Sequence, residues 1–147
     1  MIIVSLKIYK FKKMKIIKSI EYLKRKIKES KRNGLIINFI PTMGALHLGH
    51  MKLIEKAKKK NSLRIVSIFV NPSQFGPNED FKNYPRTIHN DINLLRNEDV
   101  DIVFIPIEDE ILKYKTFYKC PNFKIEEILC GKSRPNYFPG VKKIVIK

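Results

Sequence analysis

Three short runs dominated by apolar residues punctuate this chain: Leu35–Ile40, Leu63–Val70 and Asp101–Pro106. Runs of this length and composition mark strands buried on both faces, the habit of parallel sheets. Around them, apolar residues recur at helical spacing. Ile20, Leu23 and Ile27 form one stripe, with Ser19 placed to cap its start and Gly34 just past its end. Met51, Ile54 and Ala57 begin a second helix that should reach about Lys60, where lysines 58–60 suit the negative end of the helix dipole. Ile88, Ile92 and Leu95 form a third stripe. Alternation of strands and helices predicts an α/β fold with a parallel sheet and right-handed crossovers.

The pattern starts cleanly at Met14, so residues 1–13 read as an N-terminal extension and 14–147 as one domain. Asn71–Asn78, with two prolines and a glycine, is an ordered loop that continues through Asp80–Arg86. It follows the carboxyl end of a strand, where open α/β sheets bind ligands. Beyond Glu108 the periodicity weakens. A short strand is expected at Phe117–Cys120, a helical turn over Ile125–Leu129, and a loop over Leu129–Pro135 that offers Arg134 to a phosphate or carboxylate. Gly140–Lys147 has the spacing of a helix just beginning.

Composition changes this picture little. The net charge is +16, and 24 of the 30 basic residues are lysine. These lysines are scattered, and no face interleaves arginine with aromatics as a nucleic-acid surface would. Lysine, isoleucine and asparagine share A/T-rich codons, so the charge reads as compositional drift on solvated faces, with no nucleic-acid partner. Cys120 and Cys130 have no metal-site spacing and are expected to stay reduced, which favours the cytoplasm. The apolar start, Ile2–Leu6, is too short for a secretory leader, and no run approaches the ~20 residues of a membrane span.

The chemistry concentrates in Pro41-Thr42-Met43-Gly44-Ala45-Leu46-His47-Leu48-Gly49-His50. A buried strand, a glycine turn and a helix opening with two histidines is the layout of a nucleotide site. Amides at a helix N-terminus lack partners and carry partial positive charge, so phosphate sits there. His47 and His50 are three apart and share one side of the first turn. Gly49 leaves room for a base or sugar against the backbone. No third ligand accompanies the pair, so no metal site is predicted.

Further motifs stand in line with this one: Val66-Ser-Ile-Phe-Val-Asn-Pro-Ser-Gln-Phe75, Glu79-Asp80, Tyr84-Pro-Arg86, Val100-Asp101 with Phe104 and Pro106, and Leu129 through Gly140. In order and spacing, from about Met14 to Lys147, the chain resembles the pantoate–beta-alanine ligase family. That resemblance implies a Rossmann-like, nucleotidyl-transferase-type parallel sheet with flanking helices, here incomplete. It implies ATP-dependent condensation of pantoate with beta-alanine through a pantoyl adenylate. Met43, Gly44, Ala45, Leu46, His47, Leu48, Gly49 and His50 would line the ATP site, with His47 and His50 on phosphate oxygens and His50 as the proton donor. Gln74 would hold pantoate. Magnesium would accompany ATP, bound mainly through the phosphates, and a homodimer would form through this domain.

The chain also departs from the family. Arg134-Pro135-Asn136-Tyr137-Phe138 stands where the family carries Arg-Pro-Gly-His-Phe, and Leu112-Lys113 where it carries Tyr-Pro. The family's Gly-x-Lys-Asp segment, second pantoate-binding glutamine, Ser-Ser-Arg loop and smaller C-terminal domain are expected to be absent from these 147 residues. The domain is therefore expected to be partial, the alternative function being an inactive or partner-dependent nucleotide-binding fragment.

Overall fold

A computed structural model of the chain describes residues 13–77, 79–115, 121, 124–128 and 130–147. Most of the 1–13 extension and the expected strand over Phe117–Cys120 lie outside the described residues. Four parallel strands form one sheet: β1 (Lys15–Ile17), β2 (Ile36–Thr42), β3 (Ser62–Ile68) and β4 (Ile102–Phe104), in the order β1-β4-β3-β2. The three expected strands are present. The fourth, β1, pairs with β4 from Lys15↔Ile102 to Ile17↔Phe104. Three residues are too few to show a period, and only Ile17 is buried, so nothing in the pattern announces this strand.

Helices α1 (Ile20–Arg32), α2 (Leu48–Lys56) and α3 (Ile88–Asn97) follow β1, β2 and β3. Ser19 caps α1 by accepting the Tyr22 N–H, and the Glu110 carboxylate accepts that of Ile20. Gly34 lies past the end with φ +74°, a left-handed value that costs glycine nothing. The second helix stops at Lys56 rather than Lys60. Asn38 on β2 donates to the Ala57 carbonyl, and Asn61, at φ +57°, turns the chain into β3. Strand β2 extends through Pro41 and Thr42, because its register with β3 holds to Thr42↔Ile68. Proline is tolerated there because β2 is an edge strand.

Apolar residues divide across the sheet. Leu63, Ile65, Ile102 and Phe104 point to the α1 side, where they meet Ile17, Ile20 and Leu23. Val66, Ile68 and Val103 point to the other side, against Ile54 of α2 and Leu95 of α3. Burying each such side chain contributes about 1.5–3 kcal/mol, so the central strands fix both layers.

After β4 the chain forms more helix than its weak pattern suggested. The short α4 (Glu108–Lys113) buries Ile111, and the expected turn near Ile125 appears as a 3-10 turn at Lys124–Glu127. A single turn, α5 (Cys130–Ser133), interrupts the expected loop. The last helix, α6 (Tyr137–Val145), begins three residues before Gly140. It rests on the loop after β3 so closely that a Cβ on Gly140 would lie 2.2 Å from the Ser73 carbonyl oxygen. Only glycine permits that approach.

Candidate active site

The carboxyl ends of β2 and β3 open into a cleft of roughly 500 Å3, floored by the sheet and flanked by α1 and α6. Met43 borders it from the loop after β2, His50 from the first turn of α2, Gln74 and Tyr84 from the segment after β3, and Tyr137 from α6.

The first loop is built around its own hydrogen bonds. Thr42 Oγ1 donates to the Ser67 carbonyl at 2.7 Å and accepts the Gly44 N–H at 3.2 Å. Gly44 and Ala45 both have positive φ, +82° and +50°. The turn brings the Ala45 and Leu46 amides to one side, where successive N–H groups form a concave nest for an anion. That nest is filled by Asp91 of α3. Its carboxylate accepts the Leu46 N–H at 2.8 Å, the Ala45 N–H at 3.1 Å and the Thr87 hydroxyl at 3.2 Å. Asp91 has no exposed surface.

The histidines cap α2. His47 Nδ1 accepts the Gly49 N–H at 3.1 Å, and His50 Nδ1 accepts the His47 N–H at 3.3 Å, a reciprocal capping box. The rings lie 4.1 Å apart. Each neutral imidazole with an accepting Nδ1 carries its proton on Nε2. Burial, reinforced by His47 and opposed by Asp91, holds His50 below the usual histidine range. At neutral pH His50 therefore presents an uncharged Nε2–H donor.

This changes the expectation of free amides. The N–H groups of Ala45, Leu46, His47 and Gly49 all have side-chain partners. The space over Gly49 holds the His47 ring, whose Cε1 would lie 2.9 Å from an added Cβ, so it is not room for a sugar. Met43 lines the cleft, whereas Gly44 packs on Asp91 and Ile68 behind it. Ala45 is half-buried, and Leu46 sits in the core on the α2 side. Leu48 points outward with 84% of its surface exposed. His47 is exposed beside His50, which reaches the cleft.

The second loop is held from farther along the chain. Asn71 is fully buried at the start of a 3-10 turn, Pro72–Gln74. Its Oδ1 accepts the Ser73 N–H, while its Nδ2 donates to the Gly140 carbonyl and to Gln74 Oε1, each at 3.0 Å. A backbone donor on one side and a backbone acceptor on the other fix the Asn71 amide. They thereby fix Gln74, whose Nε2 remains available to a ligand. Arg134 forms a bidentate pair with Glu79, donates to the Gln74 carbonyl at 3.3 Å and lies 4.4 Å from the Tyr137 ring centre. The carboxylate that Arg134 meets is therefore the protein's own. Arg134 and the Gly76 N–H hold Glu79 below the usual carboxylate range. Asp80 is exposed and bonds to Asn83. Among the described residues, no group of three acidic, histidine or cysteine side chains could hold a metal.

Two buried polar residues, Asp91 and Asn71, escaped the sequence reading. Asp91 had a signal: an acid three residues after Ile88 and four before Leu95, on the helix face that the core claims.

Residues 15–147 match the family described as pantoate-beta-alanine ligase. The pantothenate synthetase of Carboxydothermus hydrogenoformans is 51% identical over 136 residues, covering 91% of this chain and 48% of the relative. That of Thermosipho africanus is 44% identical over 134 residues, with the same coverage. The chain thus spans about half the length of the curated relatives it matches. The crystal structure of pantothenate synthetase from Thermus thermophilus superposes with a TM-score of 0.71 at 34% identity, over 90% of this chain and 46% of that one. The pantoate-beta-alanine ligase of Francisella tularensis, solved with beta-gamma ATP and beta-alanine, also gives 0.71, at 45% identity over 90% and 51%.

Proposed function

The chain belongs to the pantoate–beta-alanine ligase family, and on that premise we propose that residues 14–147 form a partial N-terminal domain binding ATP and pantoate. The reaction served is ATP-dependent condensation of pantoate with beta-alanine to pantothenate. The observation that carries this reading is the meeting of His50 and Gln74 at one cleft, from the carboxyl ends of two adjacent parallel strands.

In the first step a pantoate carboxylate oxygen attacks the α-phosphorus of ATP. The bond to the β-phosphate oxygen breaks, giving pantoyl adenylate and pyrophosphate. Negative charge grows on phosphate oxygens, and the Nε2–H groups of His50 and His47 donate to them. His50, uncharged with Nδ1 accepting the His47 N–H, serves the leaving phosphate as a hydrogen-bond donor through Nε2–H and keeps its proton. Removing one preorganised donor of this kind costs roughly 2.7–4 kcal/mol, or 10²–10³ in rate. Gln74 Nε2 donates to a pantoate oxygen and holds the carboxylate in line. In the second step the free amine of beta-alanine attacks the acyl carbon. A C–N bond forms, the bond to AMP breaks, and the amine proton leaves to solvent.

Magnesium, as a companion of ATP, would neutralise phosphate charge. No described helix is long and apolar enough to cross a membrane, and we assign the protein to the cytoplasm, as a homodimer.

A second reading has its own support. Phe39, on the edge strand beside the cleft, stays 44% exposed. That flank of the cleft is open, and the second reading is of an inactive or partner-dependent nucleotide-binding fragment. Calorimetric titration of the 147-residue chain tests both readings. ATP and pantoate should each bind, with His50→Ala weakening ATP and Gln74→Ala weakening pantoate. Absence of both binding events would overturn the assignment. Pantoate-dependent pyrophosphate exchange into ATP would place the first step within this chain; binding without exchange supports the second reading.

A further inference from the structure

We propose that Asp91 is a positioning residue of this site: its carboxylate occupies the anion nest of the Gly44–Leu46 turn, sets the histidine pair, and leaves phosphate recognition to the imidazoles. The last part rests on the ATP reading above; the hold on the histidines does not.

Two amides and one hydroxyl give this fully buried carboxylate a set of three donors. Both amides come from the left-handed bend that immediately precedes the helix cap. A phosphate entering the same nest would find its donors engaged and a like charge within contact distance. Gly44 is shaped to the same end, since an added Cβ would lie 3.1 Å from Asp91 Oδ2. The bend that Asp91 fixes runs directly into His47. The pitch of the bend decides whether His47 Nδ1 meets the Gly49 N–H and whether His50 Nδ1 meets the His47 N–H. Those two bonds determine which ring nitrogen each histidine shows to a ligand. Asp91 reaches the turn from α3, behind the sheet, and does not line the cleft. It acts through the turn and not on substrate.

Imidazole ¹⁵N spectra of the full 147-residue chain, with ATP titrations of the same samples, test the proposal. The unsubstituted chain should show both histidines as Nε2–H tautomers. In Asp91→Asn, one amide hydrogen would oppose the Ala45 or Leu46 N–H, and the turn would re-pitch. The histidines should then show mixed tautomers, and ATP affinity should fall at least tenfold. If that variant does not fold, Thr87→Val supplies the test by removing only the third donor. It should mix the tautomers partially and weaken ATP a few-fold, and Thr87→Ser should restore both. Fixed tautomers and unchanged ATP affinity in a folded variant, with only a lower unfolding midpoint, would overturn the proposal. If the unsubstituted chain fails to bind ATP, the ATP reading falls and the tautomer comparison alone decides the role of Asp91.

Discussion

The loops after β2 and β3 leave adjacent parallel strands at the same end of the sheet, yet they are held in opposite ways. The first is organised mostly by its own residues and a carboxylate from α3. Thr42, His47 and His50 bond within the loop, and Asp91 closes it from behind. The second depends on partners 55 and 69 residues away: Arg134 on Glu79 and Gly140 on Asn71. One wall of the cleft is therefore nearly self-contained, and the other is borrowed from the far end of the chain. The difference teaches that the imidazole donors are preset by one turn and a single carboxylate from the following helix, whereas the Gln74 side of the cleft depends on α6 docking.

The hardest blow to this contrast falls on the first loop. Asp91→Ala strands the buried Leu46 amide, costing about 1–3 kcal/mol, and the half-buried Ala45 amide, costing no more than that, so urea unfolding should reveal a loss of roughly 1–6 kcal/mol. A loss under about 1 kcal/mol, the lower bound for one such amide, would mean that the turn holds itself without α3. Next comes the docking of α6. Gly140→Ala would overpack backbone against backbone, costing about 1–3 kcal/mol. It should also weaken pantoate binding while sparing ATP. Gly76→Ala is the control, since the nearest atom to its added Cβ is 3.8 Å away; equal effects of the two would erase the distinction.

A smaller effect separates the loops by pH. Glu79 is held below the ordinary carboxylate range by Arg134 first and the Gly76 N–H second. A depressed carboxyl contributes stability that is complete above its unfolded value, about 4.3, and fades as pH falls through the folded value. Unfolding midpoints of the original chain and Glu79→Gln should differ at pH 6 and converge toward pH 3. A gap independent of pH would deny the clasp. Smallest is the titration of His50. Burial lowers it, so its NMR resonance should titrate below about 6.5. Its contribution to stability is complete above that value and falls away only as pH drops through it. A midpoint above about 6.5 would mean that the Asp91 charge outweighs burial.

Much of the first region was legible in the sequence, because its elements are local. Strand β2, the turn, α2 and the paired histidines follow one another without a gap, and periodicity marks each element. The missing information was who fills the nest. Asp91 lies 45 residues beyond Leu46, visible only as an acid on an apolar helix face. In the second region Gln74 was found through its neighbours, but its supports were not. Asn71 and Gln74 look like ordinary loop polars until tertiary packing brings Gly140 against them. Likewise β1 and α4 are too short to carry a period, and their existence is decided by pairing with β4 and by the burial of Ile111.

The bond from Asn71 to Gly140 also has a meaning in time. Synthesis proceeds at about 5–20 residues per second, so a partner 69 residues downstream arrives roughly 3–14 s after Asn71 itself. Through that interval the nascent chain is expected to carry a finished histidine-bearing turn only once Asp91 has emerged, beside a Gln74 loop that still waits for its anchor. Contacts of such separation form late because loop closure must precede any gain from them. The site would be born one wall at a time, and the segment with the longest wait is the one that chaperones and proteases would meet first.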